Sequence, residues 1–258
     1  MSCRGHVITV FSMVLLMLPC HSRAAGQEAP DPPHLFVSAG EAYRSGDFAS
    51  AVRLYEAIVD AGISNGELYY NLGNSFLKNS QVGKAIASYR RAELYMPRDE
   101  DLQTNLAYAL ELTRDRVECR ELLPFFKDFC FWYSGLNMNE LLAAFLIANA
   151  VFWLVVSLRL FAKKEFLTIV FYICLFVTAV LGASAAVKIY NTHAASSGVV
   201  IAPEIMVRSG NSVNDTVLFK LHEGAEFEWL QEHAGWIKIR LCDGKKGWVQ
   251  KQVVEQII

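Results

Sequence analysis

Histidine and cysteine are the residues of this 258-residue chain best suited to acid–base, nucleophilic or metal chemistry, and their spacing supports none of these. Cys3, Cys20, Cys119, Cys130, Cys174 and Cys242 form no CxxC pair and no metal-ligand spacing with a histidine, which argues against a zinc site. Past the N-terminal stretch, His34, His193, His222 and His233 are scattered. His222 stands beside Glu223 on a predicted turn, where a solvated ring is the expected state. The chain has no GxSxG, no HExxH and no glycine loop that would cradle a phosphate. The sequence therefore predicts a protein that is not an enzyme and needs neither cofactor nor metal. Cys119 and Cys130 either pair in an oxidising compartment or remain two thiols near a membrane. Cys242, next to the Asp243-Gly244 turn, reads as a packing cysteine at a strand end.

Binding chemistry is better supplied. Tyr43, Arg44, Tyr70, Asn74, Lys78 and Tyr108 combine ring area, an amide that can pair with peptide backbone, and cations that can meet a carboxylate. They act together only if one surface carries them, and the stretch from His34 to about Arg116 can build it. Gly46-Asp47-Phe48, Ala51 and Tyr55 recur as Ser80-Gln81-Val82, Ala85 and Tyr89, an offset of 34 residues. Tyr69, Leu72-Gly73, Phe76, Ala85, Tyr89, Ala92 and Pro97 stand where the signature of tetratricopeptide (TPR) repeats places its residues, and the stretch resembles that family. Gly73 and Ala85 are small where two helices must cross closely, and Pro97 ends the second helix. Asp99-Glu100-Asp101 then put acids in the first turn of a helix with Leu102, Leu106 and Leu110 on one face, a cap for the stack. In this register the six binding candidates share the concave face that first helices line. Asn71 reads as a residue that stabilises the repeat.

The remaining segments position that surface relative to lipid. Apolar residues make up 53% of the chain and charged ones 19%, and the apolar ones are bunched. Arg4 followed by the run Val7–Leu18 reads as a secretory signal cleaved after Ala24, or as an uncleaved anchor. Glu118–Leu136 is rich in Phe, Trp and Tyr, a composition of membrane interfaces. Two apolar runs follow, about Leu141–Phe161 and Phe166–Val187, each long enough to cross the hydrocarbon core. Lys163 and Lys164 in the turn between them, with Arg159, favour the cytoplasmic side for that turn. Asn149, a lone amide in the first span, seeks an interhelical hydrogen bond. Beyond the spans, short alternating runs at Val199–Ile201, Val217–Phe219, Glu226–Leu230 and Trp236–Leu241 predict a small closed barrel with turns at Ser209-Gly210-Asn211, Glu223-Gly224 and Asp243-Gly244-Lys245. Trp229, Trp236 and Trp248 read mainly as barrel core. The formal net charge of −2 excludes a nucleic-acid surface.

The division expected is a signal peptide at 1–24, a linker at 25–33, all-α TPR helical hairpins with a capping helix at 34–116 and an aromatic juxtamembrane segment at 117–136. A two-helix transmembrane hairpin follows at 137–161 and 166–190, around a turn at 162–165. A spacer at 191–197 leads to an all-β SH3-like small barrel at 198–258.

Val207-Arg208-Ser209-Gly210, Leu221-His222-Glu223-Gly224, Gly235-Trp236-Ile237-Lys238-Ile239 and Gly244-Lys245-Lys246-Gly247-Trp248-Val249 resemble a bacterial SH3 domain. The order of signal, TPR repeats, membrane hairpin and SH3 domain resembles the BatE-type proteins of bacterial aerotolerance (Bat) operons, as does the stretch from Asn65 to Asn74. That resemblance implies a non-enzymatic scaffold in the bacterial inner membrane, with both folded parts in the periplasm. Its implied partners are membrane proteins bearing von Willebrand factor A domains and a MoxR-type ATPase system. The alternative is peptidoglycan binding through the SH3 domain.

Overall fold

The protein, seen here in a computed structural model, is described for residues 31–115, 131–162, 164–194 and 197–257. The expected signal peptide, most of the linker, Cys119, Cys130, Lys163 and most of the aromatic stretch lie outside these residues. Four helices come first: α1 (Pro32–Arg44), α2 (Phe48–Asp60), α3 (Gly66–Lys78) and α4 (Val82–Tyr95), then α5 (Glu100–Glu111). α3 starts 34 residues after α1, and α4 starts 34 after α2, so the sequence offset becomes two superposable helix pairs. The first helix begins at Pro32, inside the expected linker, because proline is accepted in a first helical turn. Local chemistry marks the other starts. Asp47, Asn65 and Asp99 each accept a hydrogen bond from the backbone N–H three residues on. The turns between paired helices need a left-handed residue, filled by Gly46 at φ 84° in the first pair and by Ser80 at φ 60° in the second.

The pairs close on apolar stripes. Ala51, Val52, Tyr55 and Ile58 of α2 are buried, as are Leu68, Leu72 and Phe76 of α3 and Ile86, Tyr89 and Ala92 of α4. A methyl group on Gly73 would lie 2.6 Å from the Tyr89 ring, so the α3–α4 crossing requires its absence. Val199 and Ile257, from the far end of the chain, belong to this same core.

After the short helix α6 (Phe131–Gly135) come α7 (Met138–Phe161) and α8 (Glu165–Ala194), packed as a hairpin. α7 opens with a reciprocal cap in which Asn137 and Glu140 each bond the other's backbone N–H. Both helices are long and apolar enough to cross a membrane, with mean hydropathies of 2.4 and 2.5. They are not core helices: Leu160 and Phe161 are 77% and 89% exposed, and few positions on either helix are buried. Gly182 admits the Phe145 ring, and Phe152 meets Phe171 at 5.5 Å. Asn149 is half-buried, with no hydrogen-bond partner for its amide among the described residues. α8 runs on to Ala194 through most of the expected spacer, since no residue there breaks the ladder. Lys188, near the end of the expected second span, donates to the carbonyls of Tyr133 and Leu136 and so closes the C-terminal end of α6.

The C-terminal part is a seven-stranded antiparallel sheet: β1 (Ser197–Val200), β2 (Glu204–Arg208), β3 (Val217–His222), β4 (Glu226–His233), β5 (Trp236–Arg240), β6 (Lys246–Gln250) and β7 (Val254–Gln256), in the order β3-β2-β6-β5-β4-β1-β7. The four alternating runs correspond to β1, β3, β4 and β5, and β2, β6 and β7 complete the sheet. Bulges at Val207/Arg208 and Trp229/Gln231 curl the sheet around Val207, Leu221, Phe227, Ile237, Ile239 and Val249. Cys242 corrects its sequence reading: it is disulfide-bonded, whereas Cys174 is free.

Candidate functional site: the first helices and the docking of α4 on the sheet

The first helices α1, α3 and α5 bring some of the expected binding residues together. Tyr43 of α1 and Arg44 line a cavity of about 400 Å³ with Phe36, Tyr55, Glu67 and Asn71. Burial, with Tyr70 close by, raises the pKa of the Tyr43 phenol above its ordinary value, and burial does the same at Tyr55. Both hydroxyls therefore stay protonated and able to donate. Lys78 is exposed at the end of α3, and Tyr108 stands 54% exposed on α5.

Asn74 and Tyr70 are placed differently. The Tyr89 hydroxyl donates to Asn74 Oδ1 at 2.7 Å, and Asn105 Nδ2 donates to the same oxygen at 2.9 Å and to the Tyr70 hydroxyl at 3.0 Å. These four side chains form one polar network tying α3, α4 and α5. Asn105 was not anticipated, because its partners Tyr70 and Asn74 lie more than thirty positions away on another helix. Asn71, read as structural, is the amide that faces the cavity.

The opposite side of the helical part is occupied. Helical geometry puts Gly83, Ala87, Arg90 and Arg91 on one stripe of α4 and Ala85, Tyr89 and Ala92 on the other. The first stripe docks on the sheet. Arg90 donates two parallel hydrogen bonds to Glu226, at 2.7 and 2.9 Å, and a third to Glu93. Arg91 pairs with Glu255 at 2.6 Å and caps the carbonyls of Gln256 and Ile257. Gln81 supplies no side-chain cap to α4; instead Glu223, from the turn after β3, accepts from the Gly83 N–H at 2.9 Å. A carboxylate is well placed there, since helix N-termini carry unsatisfied N–H groups and positive potential.

His222 is not a solvated turn residue. Its ring nitrogens face Asp115 Oδ1 at 3.0 Å, Arg114 at 3.2 Å and Glu204 at 3.5 Å, which seals the same interface. Asp115 and Arg114 could not be paired with His222 from sequence, because they lie more than one hundred positions away. A double-mutant cycle on Arg90→Ala and Glu226→Ala should return a coupling of about 2 kcal/mol, as expected for a bidentate charged pair largely shielded from water. Hydrogen exchange at the α4 and β4 amides of the full chain measures it. Additive single effects would mean the two groups do not meet.

On the sheet, Trp229, Trp236 and Trp248 are all half-buried. Trp236 lines a shallow cavity of about 390 Å³ with Gly235, Gln250, Lys251 and Gln252. Toward α7, Arg98 meets Glu140 at 2.6 Å and Asn137 donates to the Tyr95 carbonyl, so the helical part sits on the start of that helix. No group of metal-ligating side chains occurs among the described residues.

Residues 205–255, from β2 to β7, match the family of bacterial SH3 domains. None of the curated proteins compared with the chain matches it.

Proposed function

We infer that the chain is a non-enzymatic scaffold, anchored by α7 and α8 in the bacterial inner membrane, whose helix pairs act as TPR repeats and hold a protein segment. The observation that carries this reading is the division of labour on the helical part. Its second helix α4 is covered by the sheet, while Tyr43, Arg44, Asn71, Lys78 and Tyr108 on the first helices remain accessible. The bacterial SH3 match supports a role in protein or cell-wall binding. The order of parts supports a setting like the aerotolerance complexes, with both folded parts in the periplasm. Partners would then be von Willebrand factor A domain membrane proteins acting with a MoxR-type ATPase.

Co-purification in mild detergent tests it. Arg44→Glu combined with Lys78→Glu should reduce recovery of membrane-protein partners by about tenfold, because each reversal replaces an attraction to a carboxylate by a repulsion. Unchanged recovery would remove the concave face from the contact. A second reading, peptidoglycan binding, is favoured by the Trp236 cavity. Sedimentation with purified sacculi, abolished by Trp236→Ala and untouched by the two charge reversals, would select it.

A further inference from the structure

The turn between the two apolar helices encloses a site that the scaffold reading does not use. A cavity of about 480 Å³ lies between α7 and α8 at this end, lined by Val156, Arg159, Leu160, Lys164, Glu165, Thr168 and Phe171. Its walls change character with depth. Arg159, Lys164, Glu165 and Thr168 ring the mouth at the helix ends. Val156 and Phe171 each lie about one turn, or roughly 5 Å, further into the hairpin, where an inserted helix pair would be among acyl chains.

The cations at the mouth are uncommitted. Neither Arg159 nor Lys164 has an acidic partner within ion-pair distance among the described residues. Arg159 instead lies over the Phe171 ring, 4.7 Å from its centroid, a contact that holds the charge in place without using its N–H donors. Glu165 is the only acid of the lining, so two cations face one carboxylate and a single positive charge is left over.

We propose that this cavity binds the headgroup of an anionic phospholipid, Arg159 and Lys164 taking the phosphodiester while the acyl chains cover Val156, Leu160 and Phe171. Free phosphate would satisfy the mouth but leave the apolar walls uncovered. A zwitterionic lipid would bring a cation into a site that already holds an excess of positive charge. The site rests on α7 and α8 lying in lipid and is independent of what the concave face binds.

Native mass spectrometry of the full chain, released from micelles containing equal phosphatidylglycerol and phosphatidylcholine, is the test. The wild-type chain should retain phosphatidylglycerol in preference by about tenfold. Arg159→Gln with Lys164→Gln should abolish the preference, and Arg159→Lys should keep part of it. Inorganic phosphate in millimolar excess should not displace the lipid. Equal retention of the two lipids, a preference unchanged in the double variant, or displacement by phosphate would each overturn the proposal. A chain that carries no lipid of either kind would overturn it too, by removing the hairpin from the membrane.

Discussion

Replacing Tyr89 by alanine should loosen the α3–α4–α5 packing by about 4 kcal/mol, and replacing it by phenylalanine by about 1 kcal/mol. Tyr89 is fully buried, its ring packed against Gly73 and 6.2 Å from the Tyr70 ring. Alanine removes all of that volume at a crossing where Gly73 offers no side chain to refill it. Phenylalanine keeps the ring and loses only the hydrogen bond to Asn74, whose oxygen still accepts from Asn105. Burial pushes the Tyr89 phenol well above the ordinary tyrosine range, so the hydroxyl is protonated and able to donate at neutral pH. The measurement is hydrogen exchange of α3 and α4 amides in the micelle-bound chain, where 4 kcal/mol corresponds to about a thousandfold faster opening. Equal effects of the two variants would mean that the hydroxyl network, and not the ring, holds the crossing.

Tyr89 also marks where the sequence was legible and why. The helix pairs follow from a 34-residue offset that survives because the same crossing is built twice, with small residues and aromatics in fixed places. Their starts follow from Asp47, Asn65 and Asp99, whose side chains cap within three residues of themselves. The apolar runs of α7 and α8 are equally local. The strands β2, β6 and β7 were harder. β6 contains Gly247, which lacks strand propensity but is required because a methyl there would lie 2.3 Å from Val207. That requirement belongs to the packed sheet and to no pattern along the chain.

The site was legible only where its residues act singly. Arg44, Lys78 and Tyr108 are exposed as their register predicts. Asn71 and Asn74 exchange roles because the outcome depends on Tyr89 of α4 and Asn105 of α5, on helices other than their own. The docking of α4 on the sheet left only a trace: the adjacent pair Arg90-Arg91 on the helix, and acids at Glu223, Glu226 and Glu255. Opposite charges are plentiful in any sequence of this length, and nothing local says which will meet. The burial of Val199 and Ile257 in the helical core is of the same kind.

Gly83 is where that docking can be tested by the sign of an effect. On helix propensity alone, Gly83→Ala should stabilise α4 by about 1 kcal/mol. The interface demands the reverse. A methyl on Gly83 would lie 2.3 Å from the Val200 carbonyl oxygen and 3.1 Å from Ile201 Cα, both backbone atoms of the sheet that cannot swing aside. Accommodating it requires α4 to move off β1. That movement lengthens the Glu223 bond to the Gly83 N–H and uncaps the helix, since Gln81 offers no substitute. The net expectation is a loss of about 2 kcal/mol, from overpacking and a lost cap set against the propensity gain. Hydrogen exchange should therefore quicken in the first turn of α4 and in β1, with α7 and α8 unchanged. Slower exchange in α4 would mean that the helix is free of the sheet. α4 would then be as open to partners as the first helices, and the face that carries Arg44, Lys78 and Tyr108 would lose its claim to be the working side.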